Sequence, residues 1–247
     1  MGKPELVFVA GGSSDIGLAL IGRLLDAAPE TKVLAHHHST AAPLAALQAR
    51  YGERLQTIAA DFASPEAVTL MAGQVIERFG LPTQVVYLPG LKLRYERFAK
   101  FDLAHFDADM TVQLRSAVAL LKTLAPKMAR LERARLVFVL SSVTRGAAPK
   151  FMSMYSVVKF AQLGLMRALA AEYAATPLTV NAVSPSMVAT RFLDDLPEVA
   201  KEMAAAAAPG GRLATPDEVA SAIEFLLSPA ADSMNGVELP VAGGSAG

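Results

Sequence analysis

Leu6-Val7-Phe8-Val9-Ala10 runs straight into Gly11-Gly12-Ser13-Ser14-Asp15-Ile16-Gly17. The first five residues are apolar and include two β-branched side chains, the signature of a short buried strand. The next seven form a glycine-rich turn, after which Leu18, Leu20, Ile21, Leu24 and Leu25 recur at helical spacing. Strand, glycine turn and helix in this order open a nucleotide-binding βαβ unit. Glycines permit the turn, and the helix N-terminus offers its backbone N–H groups to a pyrophosphate. Short glycine-rich patterns also occur in tight turns that bind nothing, so the loop alone decides the fold and not the function.

Outward from that unit the alternation continues. Apolar strands are expected at 32–35, 57–60, 84–88, 135–140, 179–183 and 237–241. Ser64-Pro65-Glu66 supplies an N-cap and a proline at the first helical position for a helix ending near residue 79. Long helices are expected over 107–131 and 152–173, and Thr215-Pro216-Asp217-Glu218 is a capping-box pattern for one ending near residue 227. The alanine run at 204–208, followed by Pro209-Gly210-Gly211, reads as a loop insertion. Near-continuous apolar strands separated by helices require a sheet covered on both faces. The expectation is one doubly wound (Rossmann) α/β domain over residues 1–247, with a mostly parallel seven-stranded sheet.

Composition agrees and excludes several classes. The 247 residues are 53% hydrophobic and 19% charged, enough for a large core and without the signature of disorder. Lys plus Arg equals Asp plus Glu at 23 each, which speaks against a nucleic-acid partner. With no Cys, disulfides and thiolate chemistry are excluded. No apolar run approaches the ~18 residues of a membrane span. Met1-Gly2-Lys3-Pro4-Glu5 lacks the apolar stretch of a signal peptide, and Leu6 breaks a myristoylation pattern, so a cytoplasmic location without membrane contact is expected.

Tyr155-Ser156-Val157-Val158-Lys159 carries the chemistry. Residues four apart share a helix face, so the phenol and the ammonium lie together. A free tyrosine titrates near ~10, and a nearby cation favours its phenolate; a depression of about three units would be worth ~4 kcal/mol. Such a pair is common on helix surfaces, but here Ser142 lies just past a strand, thirteen residues earlier.

Ser142, Tyr155 and Lys159 at these spacings, with Gly11 and Gly17 at the first turn, resemble the short-chain dehydrogenases/reductases. The similarity spans essentially the whole chain. It includes Asp61 after the third strand, Asn181-Ala182-Val183-Ser184-Pro185 after the sixth, Thr190 beyond it, and 210–220 with Phe225-Leu226-Leu227-Ser228 near the end. Among relatives, the chain looks closest to the 3-oxoacyl-thioester reductase-like branch. The resemblance implies that Tyr155 gives its proton to a substrate carbonyl while hydride arrives from a nicotinamide. It implies that Lys159 lowers the pKa of Tyr155 and binds ribose hydroxyls, and that Ser142 fixes the carbonyl. The cofactor would lie against Gly11, Ser13, Ser14, Ile16 and Gly17, meet Asp61 and Phe62 at the adenine, and contact Gly90, Pro185, and the backbone of Val188 and Thr190 at the carboxamide. Residues 187–213 would form a substrate lid, helical from about Arg191 to Gly211.

Five positions depart from the family's pattern. Asp15 stands where a middle glycine is usual, Tyr87-Leu88-Pro89-Gly90 replaces an Asn-Asn-Ala-Gly segment, and Gln113 replaces the asparagine that often completes a catalytic tetrad. Pro185-Ser186 replaces Pro-Gly, and Ala242 replaces the aspartate before Gly243-Gly244. At about 5 Å from a phosphate, a carboxylate would be repelled by ~3 kcal/mol at an effective dielectric of 20. The helix macrodipole favours an acid in a first turn, and Asp15 is therefore expected to face solvent.

After the second strand, an acid would bind the ribose hydroxyls of NAD and repel the extra phosphate of NADP. His37, His38 and Ser39 offer none, which points to NADP(H) over NAD(H). Three adjacent histidines could suggest a metal, but neighbours on a strand point in alternate directions, and no metal site is expected.

The expected activity is NADPH-dependent reduction of a ketone, such as a 3-oxoacyl thioester, to a secondary alcohol. The alternative is a weakly active or non-catalytic subunit paired with an active relative. A sugar-nucleotide epimerase is disfavoured by chain length and glycine spacing. The apolar helix from Tyr155 onward has little polar surface, so a homodimer or homotetramer is expected.

Overall fold

The computed structural model describes residues 5–146 and 148–242; Met1 to Pro4 and the Gly243-Gly244 pair lie outside the described residues. Seven parallel strands form one sheet in the order β3-β2-β1-β4-β5-β6-β7, comprising β1 (Leu6–Ala10), β2 (Lys32–His37), β3 (Leu55–Ala59), β4 (Gln84–Tyr87), β5 (Ala134–Val139), β6 (Leu178–Pro185) and β7 (Glu238–Val241). The helices are α1 (Asp15–Ala27), α2 (Ala45–Tyr51), α3 (Pro65–Phe79), α4 (Leu103–Met110), α5 (Ser116–Met128), α6 (Ser153–Glu172), α7 (Glu198–Ala207) and α8 (Pro216–Leu227).

Strand periodicity divides the core into two layers. Phe8, Val85, Tyr87, Leu136 and Phe138 face α3, α5 and α6, while Val7, Val9, Val86, Val137 and Val139 face α1 and α8. The strand order reverses between β1 and β4, where β1 leads to the glycine turn and β4 to Leu88-Pro89-Gly90. In open α/β sheets ligands bind at this switch point, beyond the carboxyl ends of the strands.

Local chemistry sets the element ends. Ser14 and Ser64 accept from the Gly17 and Ala67 N–H groups as N-caps of α1 and α3, and the capping box of α8 forms between Thr215 and Glu218. Gly11 adopts φ 79°, a left-handed conformation that only glycine takes without strain. Gly17 is required by closeness, because a Cβ there would meet Gly12 O at 2.7 Å and Gly11 O at 2.8 Å.

Three elements differ from the sequence reading. The helix expected over 107–131 begins earlier and is interrupted by a π-helical turn, Thr111–Arg115, between α4 and α5. Two carbonyls there accept side-chain donors, Val112 O from the Tyr87 hydroxyl at 2.7 Å and Gln113 O from Gln162 Nε2 at 2.8 Å. The alanine run, read as a loop insertion within a lid expected to be helical over about 191–211, ends the shorter helix α7, as alanine's helix preference allows. α2 fills a segment with no strong apolar period, anchored by Leu44 and Tyr51.

Candidate active site

A cavity of about 1080 Å³ opens at the carboxyl ends of the central strands. It brings together Gly11, Ser13, Ser14, Ile16, His38, Asp61, Phe62, Gly90, Ser142, Tyr155, Lys159, Pro185, Val188 and Thr190. Of the other residues singled out from sequence, Gly17 supports the turn from behind, Gln113 is buried beside the wall, and His37 and Ser39 do not line the cavity.

Tyr155 and Lys159 project from the first turns of α6, with Lys159 Nζ 5.7 Å from the centre of the Tyr155 ring. Tyr155 keeps part of its ring open to the cavity. Its pKa is pushed up to about 12, first by desolvation and then by the charge of Asp109, while a hydrogen bond from Ser141 pulls it down. The lowering expected from Lys159 is not what this geometry produces: the ammonium donates to Val139 O at 3.2 Å and to Gln162 Oε1 at 3.1 Å. Burial lowers Lys159 itself to about 8, with Asp109 opposing. At neutral pH the pair is therefore a loaded phenol and a cation.

The serine that reaches Tyr155 is Ser141, and Ser142 lines the cavity beside it. Both stand where β5 ends in a short 3-10 turn, Ser142–Thr144, capped by Ser141. The Thr144 hydroxyl sits between Ser141 O and Glu238 Oε1, fixing this turn to β7.

Asp15 does not face solvent. Its carboxylate accepts from Arg191 N and Arg191 Nε, both at 2.8 Å, while Arg191 Nη2 donates to Ser13 O at 3.0 Å. A charge brought into the glycine turn is thus matched by an arginine 176 residues away.

His36, absent from the sequence-based set, pins the loop from below. Burial lowers it to about 4, against a hydrogen bond to Ala60 O, so the ring is neutral. Its Nδ1 accepts from Gly11 N at 3.1 Å, its Nε2 lies 3.0 Å from Ala60 O, and it stacks on Phe62. Both ring nitrogens are engaged, which leaves neither for a metal. His38 lies 3.5 Å from Asp61 at the cavity's outer end.

Pro89 and Ser186 are accommodated locally. Gly11 packs closely on Leu88 and Pro89, and Ser186 N donates to Val241 O at 3.0 Å. Met187, Val188 and Ala189 are held to Ala214 by backbone hydrogen bonds and a parallel bridge. Ala242 lines the cavity.

Four further residues escaped sequence reading: Ser141, Asp109, Gln162 and Arg191. Helical spacing carried a signal for two of them, since Gln113 Nε2 donates to Asp109 Oδ1 four residues away and Gln162 lies three from Lys159. Arg191 had none.

The chain matches, over residues 14–246, the family described as Enoyl-(Acyl carrier protein) reductase. It is 29% identical over 242 residues to acetoacetyl-CoA reductase of Allochromatium vinosum, covering 97% of this chain and 98% of that protein. It is 28% identical over 243 residues to a 3-oxoacyl-(acyl-carrier-protein) reductase of Pseudomonas aeruginosa, covering 97% and 96%. Among solved structures, a Serratia marcescens short-chain dehydrogenase/reductase variant superposes with a TM-score of 0.89 at 25% identity, covering 99% of both chains.

Proposed function

The chain belongs to the short-chain dehydrogenase/reductase family, on its 3-oxoacyl reductase-like branch, and is an oxidoreductase; on that premise we propose that it reduces an apolar ketone to a secondary alcohol with NADPH. The observation that carries this reading is the convergence of Tyr155, Lys159 and the Ser141-Ser142 pair on one apolar cavity.

The residues present suit a dinucleotide. The N-terminus of α1 offers backbone donors to phosphates, and Arg191 offsets the one acid there, Asp15. Phe62 and Asp61 form the outer wall for the adenine. His36 within β2 and His38 just after it line the cavity, with no acid in that segment, which favours NADP(H). Bound there, the reduced nicotinamide supplies hydride.

The chain's own residues supply the rest. Tyr155 donates its phenolic proton to the carbonyl oxygen as charge builds on it, and is fully loaded at neutral pH because its pKa is about 12. Ser141 and Ser142 hydrogen-bond that oxygen. Lys159 holds ribose hydroxyls, its ammonium kept in place by Val139 O and Gln162 Oε1. Leu93, Val143, Met152 and Leu193, with Phe192 and Leu213 against them and Leu196 behind, form the apolar wall that receives the substrate's chain. A 3-oxoacyl thioester fits this chemistry. Residues 187–213 act as the lid, and the outer face of α6 forms a homodimer or homotetramer contact.

Tyr155→Phe removes only the proton. With NADPH and acetoacetyl-CoA or a panel of apolar ketones, turnover should fall at least ~100-fold, while NADPH affinity by titration calorimetry stays at the wild-type value. Turnover within about tenfold of wild type would sink the assignment of the donor.

A further inference from the structure

We propose that Tyr155 regains its proton through Asp109, by way of a side cavity separate from the one that takes substrate. The proposal rests on the reading of Tyr155 as proton donor. Asp109 lies in the last turn of α4 and is only 7% exposed, and its carboxylate is held by an amide, Gln113 Nε2 at 2.5 Å, rather than by a cation. Burying a carboxylate with so little compensation is costly, and such groups concentrate where proton chemistry occurs.

Position gives this carboxylate a task. A side cavity of about 30 Å³ is lined by Asp102, His105, Asp109 and Tyr155. Asp102 is exposed, His105 half-buried and Asp109 buried, so the cavity leads from the surface inward to Asp109 and Tyr155. That volume holds one or two waters, and its lining offers the polar partners a water needs.

The path through Lys159 is built differently. Lys159 Nζ donates to Gln162 Oε1, and Gln162 Nε2 donates to Gln113 O. An amide accepts at oxygen and donates from nitrogen, and cannot carry a proton from one to the other without a high-energy imidic form. A carboxylate accepts at one oxygen and releases from the other. Gln162 therefore positions Lys159 and closes that side, while Asp109 leaves the other side open.

The step balances. Tyr155 loses its O–H proton to the substrate oxygen; the Asp109 carboxylate takes a proton from solvent beside His105 and releases it to a side-cavity water, which passes one of its own to the phenolate. One solvent proton replaces one donated. The charged and titratable groups facing this cavity are Tyr155 from α6, Asp102 and His105 from α4 and its cap, and Lys92, Arg94 and Glu96 from the loop after β4; Lys159 also feels the charge of Asp109.

The test uses Asp109→Asn, which keeps shape and loses the acid. Its steady-state kcat with NADPH and acetoacetyl-CoA should fall about tenfold or more at pH 8, where solvent protons are scarce, while the single-turnover rate stays within about twofold of wild type. Added imidazole buffer should restore turnover, and so should Asp109→Glu. In the protein without cofactor, the tyrosinate absorbance of Tyr155, isolated by difference from Tyr155→Phe, should move to lower pH once the nearby charge is gone. An unchanged kcat and pH profile in Asp109→Asn would overturn the proposal, as would an equal loss in the single-turnover rate or an unmoved phenol titration. If Tyr155→Phe is inactive while Asp109→Asn is normal, the relay alone falls; if Tyr155→Phe stays active, the donor assignment falls with it.

Discussion

Asp15 and Arg191 meet across the mouth of the cavity, one from the glycine turn and the other from the start of the lid. With side chains 24% and 55% exposed, the pair belongs to a class worth ~0–1 kcal/mol to stability. Its weight lies in binding. An uncompensated carboxylate about 5 Å from a pyrophosphate would cost ~3 kcal/mol at an effective dielectric of 20, and Arg191 cancels most of that field. Arg191→Ala should therefore leave the melting temperature nearly unchanged yet weaken NADPH binding about tenfold or more, ~1.4 kcal/mol. Asp15→Gly in the Arg191→Ala background should restore most of the loss, a coupling that titration calorimetry at one fixed salt concentration would read as a double-mutant cycle. Wild-type affinity in Arg191→Ala would remove the charge-matching account.

α7 is the element with the thinnest attachment. It has no buried residue, and Val199 and Met203 point outward, while Ala204 and Ala207 line the cavity. A helix that buries so little is drawn from the low-stability end of a fold, as lids are. Ala207→Leu should raise KM for a long-chain apolar ketone by about tenfold relative to a small one, without lowering the melting temperature; an equal effect on both substrates would mean that α7 does not touch the substrate. The same element marks where sequence reading ran short. Strands such as β1 and β5 were legible because burial on both faces leaves unbroken apolar runs, and α6 because Tyr155 and Lys159 sit one turn apart. α7 was legible only as part of a helical lid over about 191–211, because the alanines of its last turn mark no end. The site divides the same way. Gly11, Tyr155 and Lys159 are recognisable from local spacing, whereas Arg191 matters only through a contact spanning 176 residues, and Gln162 only through a carbonyl 49 residues away at a π-helical turn.

At the scale of the whole molecule, the sheet fixes the floor of the cavity and the two helix layers hold it, but one layer is incompletely covered. On α6, Val157 and Phe160 are 47% and 46% exposed, and on adjacent α5 Val118 is 44% exposed. Val157 and Phe160 lie three residues apart on one helical face, opposite the side that carries Val158, Lys159 and Gln162 into the core. Apolar surface of this kind on a helix whose other face holds Tyr155 and Lys159 calls for a second copy, and a two-fold contact would place the same patch on both subunits. Packing there would also restrain α6, and with it the separation between the phenol and the ammonium. Phe160→Glu puts a charge at the centre of that contact, where it has to be desolvated without a partner, a penalty of several kcal/mol. Size-exclusion chromatography with light scattering should find the wild type as a dimer or tetramer at micromolar concentration and Phe160→Glu as a folded monomer. Turnover should fall in the variant while the circular dichroism spectrum is kept, because α6 stays folded but loses the packing that restrains Tyr155 and Lys159. A wild-type protein that is monodisperse and monomeric at the same concentration would show that α6 holds Tyr155 and Lys159 in place without a neighbour.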